Sequence, residues 1–127
     1  MTWLKRILIL ICALITVYVL FITFLVFSPT ISDYFNRNDF DSQTWIEWKE
    51  AESSMKVRWN MTHDLTNNYN LIGKKASDLK MLLGKPSREN KNEISYYLGM
   101  TGHGINTGSI TFKILEGIVI EYKIWQG

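Results

Sequence analysis

Two histidines and a scatter of carboxylates are the residues of this chain best equipped for chemistry. His63 stands beside Asp64, and His103 lies in a glycine-rich run, Gly102-His103-Gly104. Brought together by folding, two imidazoles and a carboxylate would form a three-ligand set for a divalent ion, the arrangement that activates water in a hydrolase or senses a metal. The spacing supplies no H-x-x-x-H pair, no G-x-S-x-G and no phosphate-binding loop. No helix is expected after Gly102-His103-Gly104, so it is not a dinucleotide motif. The only cysteine, Cys12, lies in an apolar run, which leaves the rest of the chain without a thiol nucleophile, a disulfide or a cysteine metal site. The chain is therefore expected to be non-enzymatic and to carry no cofactor and no metal. A small-ligand or metal-binding sensor, or a hydrolase using His63, Asp64 and His103, is the alternative.

Aromatic side chains outside the periodic core pattern suggest binding instead. Trp45, Trp48, Tyr97 and Trp125 form a candidate partner-binding set, joined by His103 on a mobile loop, because aromatics left on a surface are enriched at protein interfaces. A second reading stays open for them: the segment from Phe40 to Lys49 folds over the sheet and buries these rings as a small cluster of its own.

The elements that position these residues follow from periodicity. Asp41 or Ser42 can cap a short turn carrying Trp45 and Trp48, and Ser53 or Ser54 can start a helix. On that helix Met55, Trp59, Met61, Thr62, Leu65 and Tyr69 share one face, with Lys56, Arg58, Asn60 and Asn67 elsewhere. A second helix has Ser77 as its expected N-cap, Asp78 at its positive end, an apolar face of Ala76, Leu79, Leu82 and Leu83, and a stop at Gly84 and Pro86. The period then changes to two. Ile94, Tyr96 and Leu98 alternate as one strand, Ile110, Phe112 and Ile114 as the next, and Ile118, Ile120, Tyr122 and Ile124 as the last, with a long loop at 99–108 and a tight turn at Glu116-Gly117. The predicted fold class is α+β: an N-terminal transmembrane helix followed by a two-layer domain of two helices packed on a three-stranded antiparallel sheet.

The transmembrane segment is Ile7–Phe27, an uninterrupted run of 21 uncharged residues preceded by Lys5 and Arg6. A helix of that length spans roughly 30 Å, the thickness of a hydrocarbon core. The run is long for a cleaved signal, and Phe27-Ser28-Pro29 offers no small-x-small site. Ile11 before Cys12 is the wrong residue for lipid modification. Lys5 and Arg6 against a single Arg37 keep the amino terminus cytoplasmic and place the C-terminal domain outside the inner (cytoplasmic) membrane, as a single-pass protein in contact with lipid. The division is 1–27 for the anchor, 28–39 for a juxtamembrane linker and 40–127 for the domain. Residues 28–127 carry 12 basic against 12 acidic side chains, so no nucleic acid is expected as a partner.

The run from Asn68 to Lys74, then Asp78-Leu79, Leu82-Leu83-Gly84-Lys85-Pro86 and Tyr96-Tyr97-Leu98-Gly99, resembles the SmpA/OmlA (BamE-like) domain family. The resemblance covers about residues 40–125. It implies a cell-envelope protein that works by binding another envelope protein, since family members with assigned roles are small outer-membrane lipoproteins that stabilise the barrel-assembly complex. The chain departs from them in lacking a lipid-attachment cysteine motif and in keeping an apparent inner-membrane helix.

Overall fold

The computed structural model describes residues 2–127, which divide into a unit ending at Tyr34 and a second compact unit, Phe35–Gly127. Helix α1, Thr2–Phe35, holds a window with a mean hydropathy of 3.0, and none of that window is buried against protein. It is long and apolar enough to cross a membrane. Its two mid-helix threonine hydroxyls are satisfied locally, Thr16 donating to the Cys12 carbonyl at 2.9 Å and Thr23 to the Val19 carbonyl at 2.8 Å. Hydrocarbon offers such groups no other partner. The helix continues through Pro29 to Phe35, so most of the stretch expected as linker is helical.

The second unit is α+β. Short helix α2, Ser42–Glu47, is capped by Asp41, whose Oδ1 accepts from the Thr44 amide at 2.7 Å. Helix α3 spans Val57–Asn68 and α4 spans Ala76–Leu83. The sheet has four antiparallel strands in sequence order: β1, Arg88–Glu89; β2, Glu93–Met100; β3, Thr107–Leu115; and β4, Ile118–Gln126. Two departures from the sequence expectation are plain. The sheet gains the two-residue β1, which paired backbone alone creates in a polar run without periodicity. Three helices, rather than two, accompany it, because the turn at Trp45 closes into α2.

Helix starts also differ from expectation. Ser54 does not cap α3; its hydroxyl ties the preceding loop, donating to the Lys49 carbonyl at 2.9 Å and accepting from the Ala51 amide at 3.2 Å. Ser77 is replaced as N-cap by Lys75, because the turn leading into β4 satisfies this end of the helix: the Ala76 amide donates to the Gly117 carbonyl at 2.8 Å. The stop at Gly84 is as expected, with φ at 75° and its amide bonded to the Lys80 carbonyl at 2.8 Å.

One face of the sheet carries the core. Ile94, Tyr96, Leu98, Ile110, Phe112, Ile114 and Val119 pack against Trp45, Met61, Leu65, Leu71, Leu79 and Leu83, all buried. Each such side chain contributes about 1.5–3 kcal/mol on leaving water. Strand β4 does not bury the Ile118, Ile120, Tyr122 and Ile124 face uniformly. Lys113 pairs with Glu121 and Ile114 with Val119, so Ile120 is an extra residue in a β-bulge. Beyond the bulge the alternation flips. Val119 is fully buried, whereas Ile120 and Ile124 are 41% and 43% exposed.

Candidate functional site

Helices α2, α3 and α4 contribute their buried side chains to the core side of the sheet and leave its opposite face open within this unit. The ladder places Tyr97, Ser109 and Trp125 in one cross-strand row, Ser95, Thr111 and Lys123 in the next, and Glu93, Lys113 and Glu121 in the third. Side chains directly opposite in antiparallel strands lie on the same face, so these rows form a continuous polar surface with an aromatic at each side of Ser109. Two strand spacings separate Tyr97 from Trp125 by roughly 10 Å. Between them lies a shallow depression of about 460 Å³, whose lining includes Arg88, Ser95, Tyr97, Ser109, Thr111 and Trp125. A smaller groove of about 180 Å³ continues it along Glu93, Lys113, Glu121 and Lys123. Its floor is preorganised: the Ser95 and Thr111 hydroxyls hydrogen-bond each other at 2.8 Å. Trp125 is 60% exposed.

Tyr97 is held at the margin of this face. Its ring packs against Trp48, with centroids 6.0 Å apart, and its hydroxyl donates to Glu50 at 2.9 Å. Burial raises the Tyr97 hydroxyl pKa, and the neighbouring Glu50 carboxylate raises it further. Behind this pair is a residue that periodicity assigned to the solvent. Arg58 is buried, its guanidinium carbon 5.1 Å from the Trp45 ring centroid and 5.0 Å from that of Trp48. Its Nε donates to the Trp45 carbonyl and its Nη1 to the Tyr97 carbonyl, each at 3.0 Å. Burial lowers the guanidinium pKa, and no carboxylate pairs with it among the described residues. The cation is satisfied by backbone carbonyls and ring faces, which locks the 45–48 segment and α3 to β2.

The aromatic set thus splits. Trp48, Tyr97 and Trp125 stand at or beside the open face. Trp45 is fully buried in the core, its ring tilted against Phe40 with centroids 5.7 Å apart, and is not a surface residue. Its Nε1 finds no acceptor. His103 lies in the β2–β3 connection, half-buried, its amide donating to Thr101 Oγ1 at 3.3 Å, and it lines neither depression.

The alternative trio is not assembled. Asp64 is occupied as a backbone staple: its Oδ2 accepts from the Phe40 amide at 2.8 Å and its Oδ1 from the Asn68 side-chain amide. The Phe40 amide, with Asn68 second, holds the Asp64 carboxyl below the usual carboxylate range. His63 is exposed on α3. No group of three His, Cys, Asp or Glu side chains able to hold a metal occurs among the described residues.

Sequence reasoning missed Arg58 and the Ser95–Thr111 floor. Nothing in helical spacing marks Arg58, although an arginine and two nearby tryptophans carry the composition of a stacked cluster. The floor was legible only as the polar half of two alternating strands. No protein-family model matches the chain, and comparison with curated proteins and with solved structures finds no match.

Proposed function

We propose that this chain is a membrane-anchored, non-enzymatic protein-interaction module of the bacterial cell envelope, acting as a scaffold or stabilising factor for another envelope protein. Helix α1 anchors it in the inner membrane as a single pass, contacting lipid, with Lys5 and Arg6 cytoplasmic and the Phe35–Gly127 unit outside. The SmpA/OmlA-like motif around Leu83-Gly84-Lys85-Pro86 points the same way. The observation that carries the reading is the uncovered sheet face, with Trp125 60% exposed across Ser109 from Tyr97. A held tyrosine and an exposed tryptophan flanking a hydroxyl floor suit a protein surface bearing both apolar and polar groups.

The test is site-specific photocrosslinking of the full chain in native membranes. A photoreactive residue at Ser109 and another at Thr111 are expected to capture the same polypeptide, and Trp125→Ala is expected to abolish both captures. Different polypeptides at the two positions, or capture indifferent to Trp125→Ala, would overturn the reading.

A further inference from the structure

The two edges of the sheet are treated differently by the fold. Along β2, beyond the short β1, outward backbone groups are closed one by one: the Tyr97 amide donates to Ser87 Oγ, the Tyr97 carbonyl accepts from Arg58, and the Met100 amide donates to the Met55 carbonyl. Along β4, among the described residues, only the start is closed, where the Val119 amide donates to the Lys74 carbonyl at 2.9 Å and the Val119 carbonyl accepts from the Gly73 amide at 2.7 Å.

Which groups of β4 remain outward follows from its far end. Gly127 and Thr107 exchange both amide-to-carbonyl bonds, at 3.0 and 3.3 Å, so Gly127 faces β3. In an antiparallel ladder this orientation alternates. Trp125 and Lys123 therefore also face β3 with their backbone, and Gln126, Ile124 and Tyr122 present N–H and C=O to the outside. The outward position of Val119, three residues before Tyr122, agrees with the extra residue at the Ile120 bulge.

We propose that this open edge pairs with the same edge of a second copy of the chain, antiparallel and centred on Ile124. That register sets Ile124 against its own counterpart and Tyr122 against Gln126, so every outward N–H and C=O of the three residues finds a partner. It also brings the exposed Ile124 side chains, each 43% accessible, into contact with each other on the helix side of the sheet. On the open face it lays the Lys123 ammonium of each copy beside the Trp125 ring of the other, a favourable cation–π juxtaposition. Centring on Lys123 instead would oppose two ammonium groups. Centring on Tyr122 would oppose Ile124 to bulged Ile120, whose backbone is out of phase. An edge contact this short belongs to the class of small, weak interfaces. Confinement of both copies to one membrane raises their effective concentration, and in this the dimer rests on the anchoring proposed above.

The experiment uses the full chain in native membranes, with Cys12→Ser removing the only natural thiol. Antiparallel hydrogen-bonded pairs have Cα atoms about 5.5 Å apart, within disulfide range. Ile124→Cys is expected to yield a disulfide-linked homodimer on mild oxidation, several-fold above Met81→Cys, a site on α4 that is 72% exposed. Coexpressed, distinctly tagged Tyr122→Cys and Gln126→Cys chains are expected to crosslink to each other and not to themselves. Equal crosslinking at Met81 and Ile124 overturns the proposal, as does a crosslink from Ile124→Cys to another polypeptide, or mixed pairing that ignores register. Alkaline extraction of the same membranes reports anchoring separately, so release of the chain identifies failure of the anchor rather than of the edge.

Discussion

Gly99 approaches the Met55 carbonyl so closely that a Cβ built on it would lie 2.1 Å from the oxygen, and the next amide, that of Met100, donates to the same carbonyl at 2.9 Å. Gly99 has φ of 78° and sits at the β2 bulge, under Trp48. The contact joins the turn before α3 to the end of β2. Only a residue without a side chain fits both the angle and the space. Gly99→Ala is accordingly expected to cost about 3 kcal/mol or more, from the sum of backbone strain and overlap. Chemical denaturation of the 35–127 unit within the full chain measures it, and a loss below about 1 kcal/mol would contradict the account.

Arg58→Ala removes a cation wedged between two rings and leaves the Trp45 and Tyr97 carbonyls without their donor. The expected loss is about 2–4 kcal/mol. Arg58→Lys should recover only part of it, since an ammonium cannot stack between both indoles while donating in two fixed directions. Full recovery by lysine in thermal unfolding would show that charge alone matters here.

Trp45 is fully buried with an unpaired Nε1. Trp45→Ala should cost about 3–5 kcal/mol through the cavity it leaves. Trp45→Phe should cost much less, about 1–2 kcal/mol, because it removes an unsatisfied donor along with part of the volume. If the two variants were equally unstable, the orphan N–H would have to be satisfied in solution.

Trp125→Ala is the contrasting case. At 60% exposure its loss should change stability by less than about 0.5 kcal/mol. Any loss of partner capture would then be an effect on the surface and not on the fold. Thermal melting run beside the crosslinking distinguishes the two.

Acid stability follows from Asp64. Its carboxyl is held below the ordinary value of 3.8 in the folded state by the Phe40 amide and Asn68. A depressed folded pKa means that the unfolded chain takes up its proton first as pH falls. The contribution is complete above the ordinary value and is lost as pH drops through it toward the lowered folded value. Asp64→Asn should therefore flatten the pH dependence of unfolding in that window, leaving the share due to Asp41, whose carboxyl is lowered by Thr44. An unchanged profile in Asp64→Asn would assign the dependence elsewhere.

Much of the fold was legible because the sequence marks it with local chemistry. Gly84 and Pro86 terminate α4, Asp41 caps α2, and the alternation through Ile94, Tyr96 and Leu98 predicts β2. The failures have a common cause in tertiary hydrogen bonding. Strand β1 forms because Ser95 and Ile94 offer an edge to Arg88 and Glu89. Lys75 replaces Ser77 at the start of α4 because β4 lies alongside, and Ile120 loses its core position to a bulge that no pattern of side chains encodes. In the candidate site, Trp125 and Tyr97 were visible as off-pattern aromatics. Arg58 was not, because its burial depends on two rings reached from a different helix and loop.

The chain enters its folded unit through residues tied to α3. The Asn38 amide bonds the Asn60 carbonyl at 3.0 Å, the Phe40 amide bonds Asp64, and the Phe40 ring meets Tyr69 edge-on at 4.9 Å. Tension arriving along the backbone from the N-terminal side therefore reaches these attachments, on α3 and its C-cap Tyr69, before any other part of the unit. From there it passes into the sheet through Arg58, which bonds the Tyr97 carbonyl, and through the Met55 carbonyl, which accepts from the Met100 amide.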